Sequence, residues 1–210
     1  MPPSNDWAWE PMTHRLEAVL AAIDAANEAD PGREWDENGV ERAAAWLYGR
    51  RMTAELHRVF GADVAEVLQI AARGQHIERW ALERSTYPPG RLGYLNWRRD
   101  QARAHGQRLG AIMADAGYRE GDCHRVGVLL RKEGLKRDAE VQMLEDTICM
   151  VFLTWYFPGF AAKHPEDKVQ DIVGKTARKM SQDARARVLK EFDLPAPLAE
   201  RIRAAESLAL

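Results

Sequence analysis

Apolar residues along the chain recur three and four positions apart, the spacing that puts them on one face of a helix. Leu16, Val19, Leu20 and Ile23 make the first stripe, with Thr13 placed as an N-cap. The spacing predicts a second helix over about 41–60, carrying Trp46, Leu47, Leu56 and Val59, and a third from about Asp63 that stops at Gly74. Pro88-Pro89-Gly90 breaks the chain. A long helix follows over about 94–116 and closes at Gly117. Another, capped by Asp122, turns Val126, Leu129 and Leu130 inward and ends at Gly134. The next covers about 139–157, and Pro158 and Pro165 bracket a short piece behind it. Helices near 166–181, 184–191 and 197–208 complete the chain, split by "DLPAP". No segment alternates as a strand does. The pattern predicts an all-α protein of roughly nine or ten helices in one domain, 1–210, without internal repeats.

Composition fits that reading. With 46% hydrophobic and 30% charged residues, the chain has material for both a core and a solvated surface. A net charge of −2 excludes a polyanion partner drawn by bulk charge, so nucleic-acid binding would need a local patch. Cys123 and Cys149 make neither a disulfide framework nor a thiolate cage, and they fit a reducing cytoplasm. "MPPSNDWAWEPM" lacks the basic and apolar regions of a secretory signal. The most apolar run, "TICMVFLTWYF" (147–157), is too short to span a bilayer. The expectation is a cytoplasmic protein with no membrane partner.

Several familiar motifs fail on spacing. In "EWDENGVE" (34–41), a calcium loop with Gly39 at its sixth position would put Ala45 where a bidentate glutamate belongs, so the stretch reads as a turn into the second helix. His76 and Glu78 form the H-x-E of zinc deaminases, but no P-C-x-x-C follows. "KMSQD" (179–183) echoes a lysine-rich loop of class I aminoacyl-tRNA synthetases, whose parallel α/β nucleotide fold has no counterpart here; that activity is not expected. There is no phosphate-binding glycine loop and no nucleophile elbow.

Three features carry chemistry. The first is "IAARGQHIERW", with His76 just past a helix end, where a histidine also simply caps carbonyls. The second is His105 in the long helix. The third is Glu145-Asp146 at the head of a helix that is apolar almost all round. Two buried carboxylates need cations, protons or a metal, and Lys132, Lys136 and Arg137 lie just upstream to pair with them. A structural ion-pair cluster and an anion or metal site both satisfy that need.

The spacing of "IAARGQHI", the later His105 and the acidic helix head resembles the His-Asp (HD) domain hydrolases. That resemblance implies an all-α core over 12–160 with a helical extension over 161–210, and metal-dependent hydrolysis of phosphate esters. Departures are plain: Ile77 replaces the aspartate of the His-Asp pair, Tyr48 falls where a ligand histidine belongs, and another falls near Lys132. His76 and Asp146 remain as metal ligands for one divalent ion, needing help from Glu145 or Glu78. A longer resemblance covers almost the whole chain. "AIDAANEADP", "LYGRRMTAEL", "IAARGQHIERW", "RSTYPPGRLGYLNWR", "KEGLKRDAEVQMLEDTICMVFL" and "FAAKH" resemble the family catalogued as domain of unknown function 4202. It implies a single-domain protein and carries over no catalytic residue.

If the three segments converge, His76, His105, Asp146 and Glu145 form a catalytic group. Arg79, Arg84, Arg98, Lys132 and Lys136 would ring it with positive charge, and Trp80, Tyr87, Tyr94 and Trp97 would stack on or cover a substrate. The expected function is hydrolysis of a small anionic, phosphorylated or nucleotide-like molecule. The rival is a nucleotide- or RNA-binding module, because residues 73–108 hold eight arginines and four aromatics against three acidic residues. The plainest reading has these arginines pair with Glu78, Glu83 and Asp100 on a solvated surface.

Overall fold

Helical spacing becomes helix where a cap or a glycine lets it start and stop. The computed structural model describes residues 10–205; most of the N-terminal stretch read as lacking a signal, and the end of the last predicted helix, lie outside them. Ten α-helices occur among the described residues, so the chain is all-α. A small antiparallel hairpin, β1 (Arg33–Trp35) with β2 (Glu41–Ala43), was not expected from the pattern. Its strands are three residues each, too short for alternation to register. Asp36 builds the turn between them: its carboxylate accepts from the N–H of Asn38 (3.0 Å) and Val40 (2.8 Å), and Gly39 takes a left-handed φ of 73°.

Tertiary contacts divide the chain into two compact units. The first takes the described residues up to Thr53 together with Asp63–Arg131. It contains α1 (Glu10–Glu28), the hairpin, the start of α2 (Ala44–Phe60), α3 (Glu66–Arg73), α4 (Gly90–Asp115) and α5 (Glu120–Arg131). α1 packs on α3 and α4, and α5 packs on α3 and α4. Ile23, Met52, Leu68, Ile70, Leu109 and Leu129 are fully buried there. Each such side chain contributes about 1.5–3 kcal/mol relative to exposure. Asp30 joins the end of α1 to the start of α2, accepting from Gly32 N–H (2.8 Å) and Ala45 N–H (2.9 Å).

α1 starts at Glu10, so Thr13 lies inside it rather than capping it. α3 starts at Glu66 and stops before Gly74, as expected, though for another reason. Gly74 has an ordinary φ of −95°; a Cβ there would come within 2.5 Å of Leu109 Cδ2. α4 starts at Gly90, earlier than the pattern implied, because Pro89 ends the break in an extended conformation that leads straight into the helix. It ends as predicted: Gly117 has φ 80°, its N–H donates to Ala114 O (3.0 Å), and Tyr118 N–H donates to Met113 O (3.0 Å).

The second unit takes Ala54–Ala62 and the residues from Lys132 onward. The helix predicted over 139–157 is α6 (Ala139–Val151), a π-turn (Phe152–Tyr156) and α7 (Phe157–Ala161), with Pro158 held in α7's first turn. α8 (Glu166–Lys179), α9 (Gln182–Glu191) and α10 (Ala196–Arg203) follow. Met150, Val173, Ala177, Val188 and Ile202 lie in the shared core. Among the described residues no helix is long and apolar enough to cross a membrane.

Gly49 sets the spacing of α2 against the end of α3, since a Cβ there would sit 2.5 Å from the Arg73 carbonyl oxygen. Backbone cannot yield as a flexible side chain does. Gly49→Ala therefore lowers stability by about 2 kcal/mol, measured as a shifted urea midpoint; an unmoved midpoint would show that the contact is loose.

Candidate functional site

The first unit gathers both histidines of the predicted group. His76 lies in the tight turn after α3, where Ile77 N–H donates to Gly74 O (3.0 Å) and Arg79 N–H to His76 O (3.2 Å). Its ring stacks on Tyr48 of α2, with centroids 3.9 Å apart and planes 20° apart. The His105 ring, on α4, lies 6.5 Å from it. The corner between them is strained: Glu78 takes a left-handed φ of 49°. Asn27 holds that corner by accepting Glu78 N–H (3.1 Å), and Arg108 donates to both Glu78 carboxylate oxygens at 3.1 Å.

His105 is only 4% exposed. One ring nitrogen bonds the backbone of Ile77, while Nε2 is buried without a partner among the described residues. A ring that donates from Nδ1 keeps a lone pair on Nε2. Burial, reinforced by the nearby charge of Arg79, pushes the imidazole down to about 4, against its opposing bond to Ile77. At neutral pH His105 is an uncharged acceptor.

Arg79 supplies the positive charge. Its guanidinium lies 4.7 Å over the Trp97 ring, and burial lowers its affinity for the proton. No carboxylate pairs with it among the described residues. Its mount is rigid: Gln101 donates to the carbonyls of Arg79 (2.7 Å) and Leu82 (2.9 Å), and Trp97 Nε1–H also donates to Leu82 (2.9 Å). Arg98 lies 5.8 Å over the exposed Tyr94 ring, and Tyr94 tilts against Trp97 at 6.0 Å.

Other residues of the predicted ring build the loop. Arg84 donates to the carbonyls of Tyr87 and Pro88, both at 3.0 Å, and of Gly90 at 3.4 Å. Tyr87 OH donates to Asp100 (3.0 Å), and Trp80 is half-buried in the turn Arg79–Ala81. Glu78 and Asp100 pair with Arg108 and with Arg99 and Arg103, as the plainest sequence reading had it for those two, while Glu83 accepts from the Ser85 hydroxyl (2.9 Å) instead.

The acidic pair and its lysines lie in the second unit. Glu145 is 1% exposed, with Lys132 against Oε2 and Lys179 3.8 Å from Oε1. The Lys132 contact is a charge pair rather than an aligned hydrogen bond. Asp146 Oδ1 accepts from Gln142 Nε2 (2.9 Å) and Ser181 N–H (2.8 Å). Burial pushes its carboxyl up; the Ser181 and Gln142 bonds and the Lys136 charge oppose that. Lys136 donates to Met180 O (2.7 Å). Both lysines hold left-handed backbones, with φ 58° at Lys132 and 75° at Lys136. Ser181 of "KMSQD" caps α9 by accepting Ala184 N–H (3.1 Å), so this stretch has a structural use.

Among the described residues no three His, Cys, Asp or Glu side chains are grouped to hold a metal ion. Asp146 spends Oδ1 on two donors, and His76 with Asp146 alone would fall short of the three or four ligands such a site uses. The sequence did not single out Asn27, Gln101 or Gln142, and offered Lys179 and Ser181 only within "KMSQD", for another reason. All act through side-chain amides, a backbone N–H or long-range pairing, which leave no local periodic mark.

An all-α chain with a buried neutral histidine beside a stacked, carboxylate-free arginine is the class this geometry defines. The profile of the family described as Domain of unknown function (DUF4202) matches residues 17–202, so the chain belongs to that family. No curated protein and no solved structure matches it.

Two measurements test these clusters. An imidazole lowered from 6.5 to about 4 on folding binds its proton less readily than in the unfolded chain. Its contribution is fully present above pH 6.5 and is lost as pH falls toward 4, roughly 3 kcal/mol in all. Urea midpoints of the wild type should fall over that window more steeply than those of His105→Gln; parallel curves would refute the assignment. Lys132→Ala leaves Glu145 buried with only the more distant Lys179, and should cost about 3 kcal/mol. A loss under 1 kcal/mol would make the pair incidental.

Proposed function

We propose that this chain hydrolyses a small phosphorylated or nucleotide-like anion at the Arg79–His105 cluster of the first unit. The reading rests on one observation: among the described residues a buried Nε2 lone pair without a partner stands near a guanidinium that no carboxylate neutralises. Arg79 binds the anion with its planar fork, held by Trp97 and Gln101. The bound negative charge offsets Arg79 and raises the basicity of His105 only when substrate is present. Nε2 then takes a proton from water as the water oxygen bonds to phosphorus. The phosphorus–oxygen ester bond breaks, the leaving oxygen takes a proton from His76 in its protonated form, the stacked imidazole 6.5 Å away, and His105 returns its proton to solvent, from which His76 is reprotonated. The products are inorganic phosphate and an alcohol. Glu145 and Asp146 serve the second unit's stability in this scheme.

A second reading, nucleotide or RNA binding without turnover, draws on the exposed Tyr94 ring beneath Arg98. Phosphate release from a panel of phosphomonoesters and nucleotides separates the two. Hydrolysis requires that His105→Gln remove at least a hundredfold of turnover while substrate affinity stays within about threefold. Arg79→Ala should weaken binding at least tenfold, or ~1.4 kcal/mol. Binding that survives in Arg79→Ala would displace the site, and Arg79-dependent binding without phosphate release would favour the second reading.

A further inference from the structure

α4 is 26 residues long and α5, which packs along it, is 12. At the helical rise these are ~39 Å and ~18 Å, so α5 covers less than half of α4. The cover lies over the C-terminal half. Gly106 meets Gly127 there, with a Cβ at Gly106 3.1 Å from the Gly127 Cα, and Gly110 meets Cys123. Beyond it the same face of α4 carries apolar residues and arginines together. Leu109 is fully buried, and seven and fourteen residues before it on the same face stand Ala102, half-buried, and Leu95, 48% exposed. Leu92 is 74% exposed and Tyr94 44%. Arg91, Arg98 and Arg99 stand among them in solvent, and among the described residues only Arg99 of the three has a carboxylate, its neighbour Asp100.

We propose that this uncovered end of α4 docks an acidic amphipathic helix of another protein, whose apolar face extends the cover α5 begins. Its leucine-type residues would meet Leu92 and Leu95, one turn apart on the same side of α4, and its carboxylates Arg91, Arg98 and Arg99. Arginine and tyrosine are enriched at protein interfaces, and the segment 73–108 contains no lysine. A second copy seated symmetrically would set the same arginines against each other. RNA would gain charge contacts and a stack on Tyr94, but would leave Leu92 and Leu95 without an apolar partner.

The test uses the full chain and a fluorescent eighteen-residue helix of leucine heptads with glutamate elsewhere. Controls are the same helix with lysine for glutamate, a twenty-nucleotide oligouridylate, and vesicles of phosphatidylcholine with phosphatidylserine. The acidic helix should bind, the lysine version should not, and Leu92→Ser with Leu95→Ser should weaken binding at least tenfold. Arg91→Glu should weaken it further. Circular dichroism checks that these surface variants stay folded. No binding of the acidic helix overturns the proposal, as does binding that the leucine variants leave unchanged. Tighter binding of oligouridylate or vesicles through the same residues overturns it in favour of that ligand.

Discussion

The arrangement of the first unit depends on one buried guanidinium. Arg73 donates to both carboxylate oxygens of Asp24 (2.9 and 3.0 Å) and, from Nε, to Thr53 Oγ1 (2.9 Å). Thr53 donates in turn to Gly49 O (3.1 Å). The Arg73 carbonyl packs against Gly49, where no side chain intervenes. One residue thus ties α1, α2 and the end of α3 together, and the turn bearing His76 leaves from that knot. Burial disfavours the Arg73 charge, and Asp24 opposes that cost. Such a pair adds little net stability but is expensive to break from one side, so it fixes geometry more than it deepens the fold.

That fixed geometry holds the polar groups of the candidate site in place. Glu78 holds a left-handed backbone that costs of order 1 kcal/mol or more, and Asn27 and Arg108 hold it there. Arg79 follows directly, so the strained corner sets where its guanidinium meets Trp97. Keeping His105 uncharged in the unliganded chain needs the same rigidity, since a looser wall would hydrate the imidazolium and restore its basicity before any substrate is bound.

Much of this was legible in the sequence, and the failures have physical causes. Helix positions were readable because a repeat of three and four reports a buried face directly. Gly74 stopped α3 where expected, but sequence could not show that Leu109 is what excludes a side chain there. The hairpin was missed because three-residue strands carry no period. At the site, the pairing of Lys132 with Glu145 was foreseeable from a buried carboxylate's need for a cation. The work of Arg84, Tyr87 and Trp97 was not. A side chain bonded to an irregular loop's carbonyls looks, in sequence, the same as one waiting for a ligand.

The choice of cation follows the same physics. All seven lysines lie at Lys132 or beyond, and every basic side chain before it except histidine is arginine. In the first unit guanidinium planes lie over rings: Arg15 on Tyr118 (3.9 Å), Arg42 and Arg50 on Trp46 (5.4 and 5.6 Å), Arg79 on Trp97 and Arg98 on Tyr94. A planar, weakly hydrated ion can stack and still present its donors, whereas an ammonium is a compact, strongly hydrated point charge. In the second unit Lys132 pairs with the buried Glu145 carboxylate and Lys136 bonds the Met180 carbonyl, each as a point charge from a tight turn, while the buried Glu55 carboxylate takes the two-donor fork of Arg58. Arginine at 79 is therefore not interchangeable with lysine. A lysine would keep the charge near His105 but lose the Trp97 stack and the fork, and with them the fixed position on which the proposed anion recognition rests.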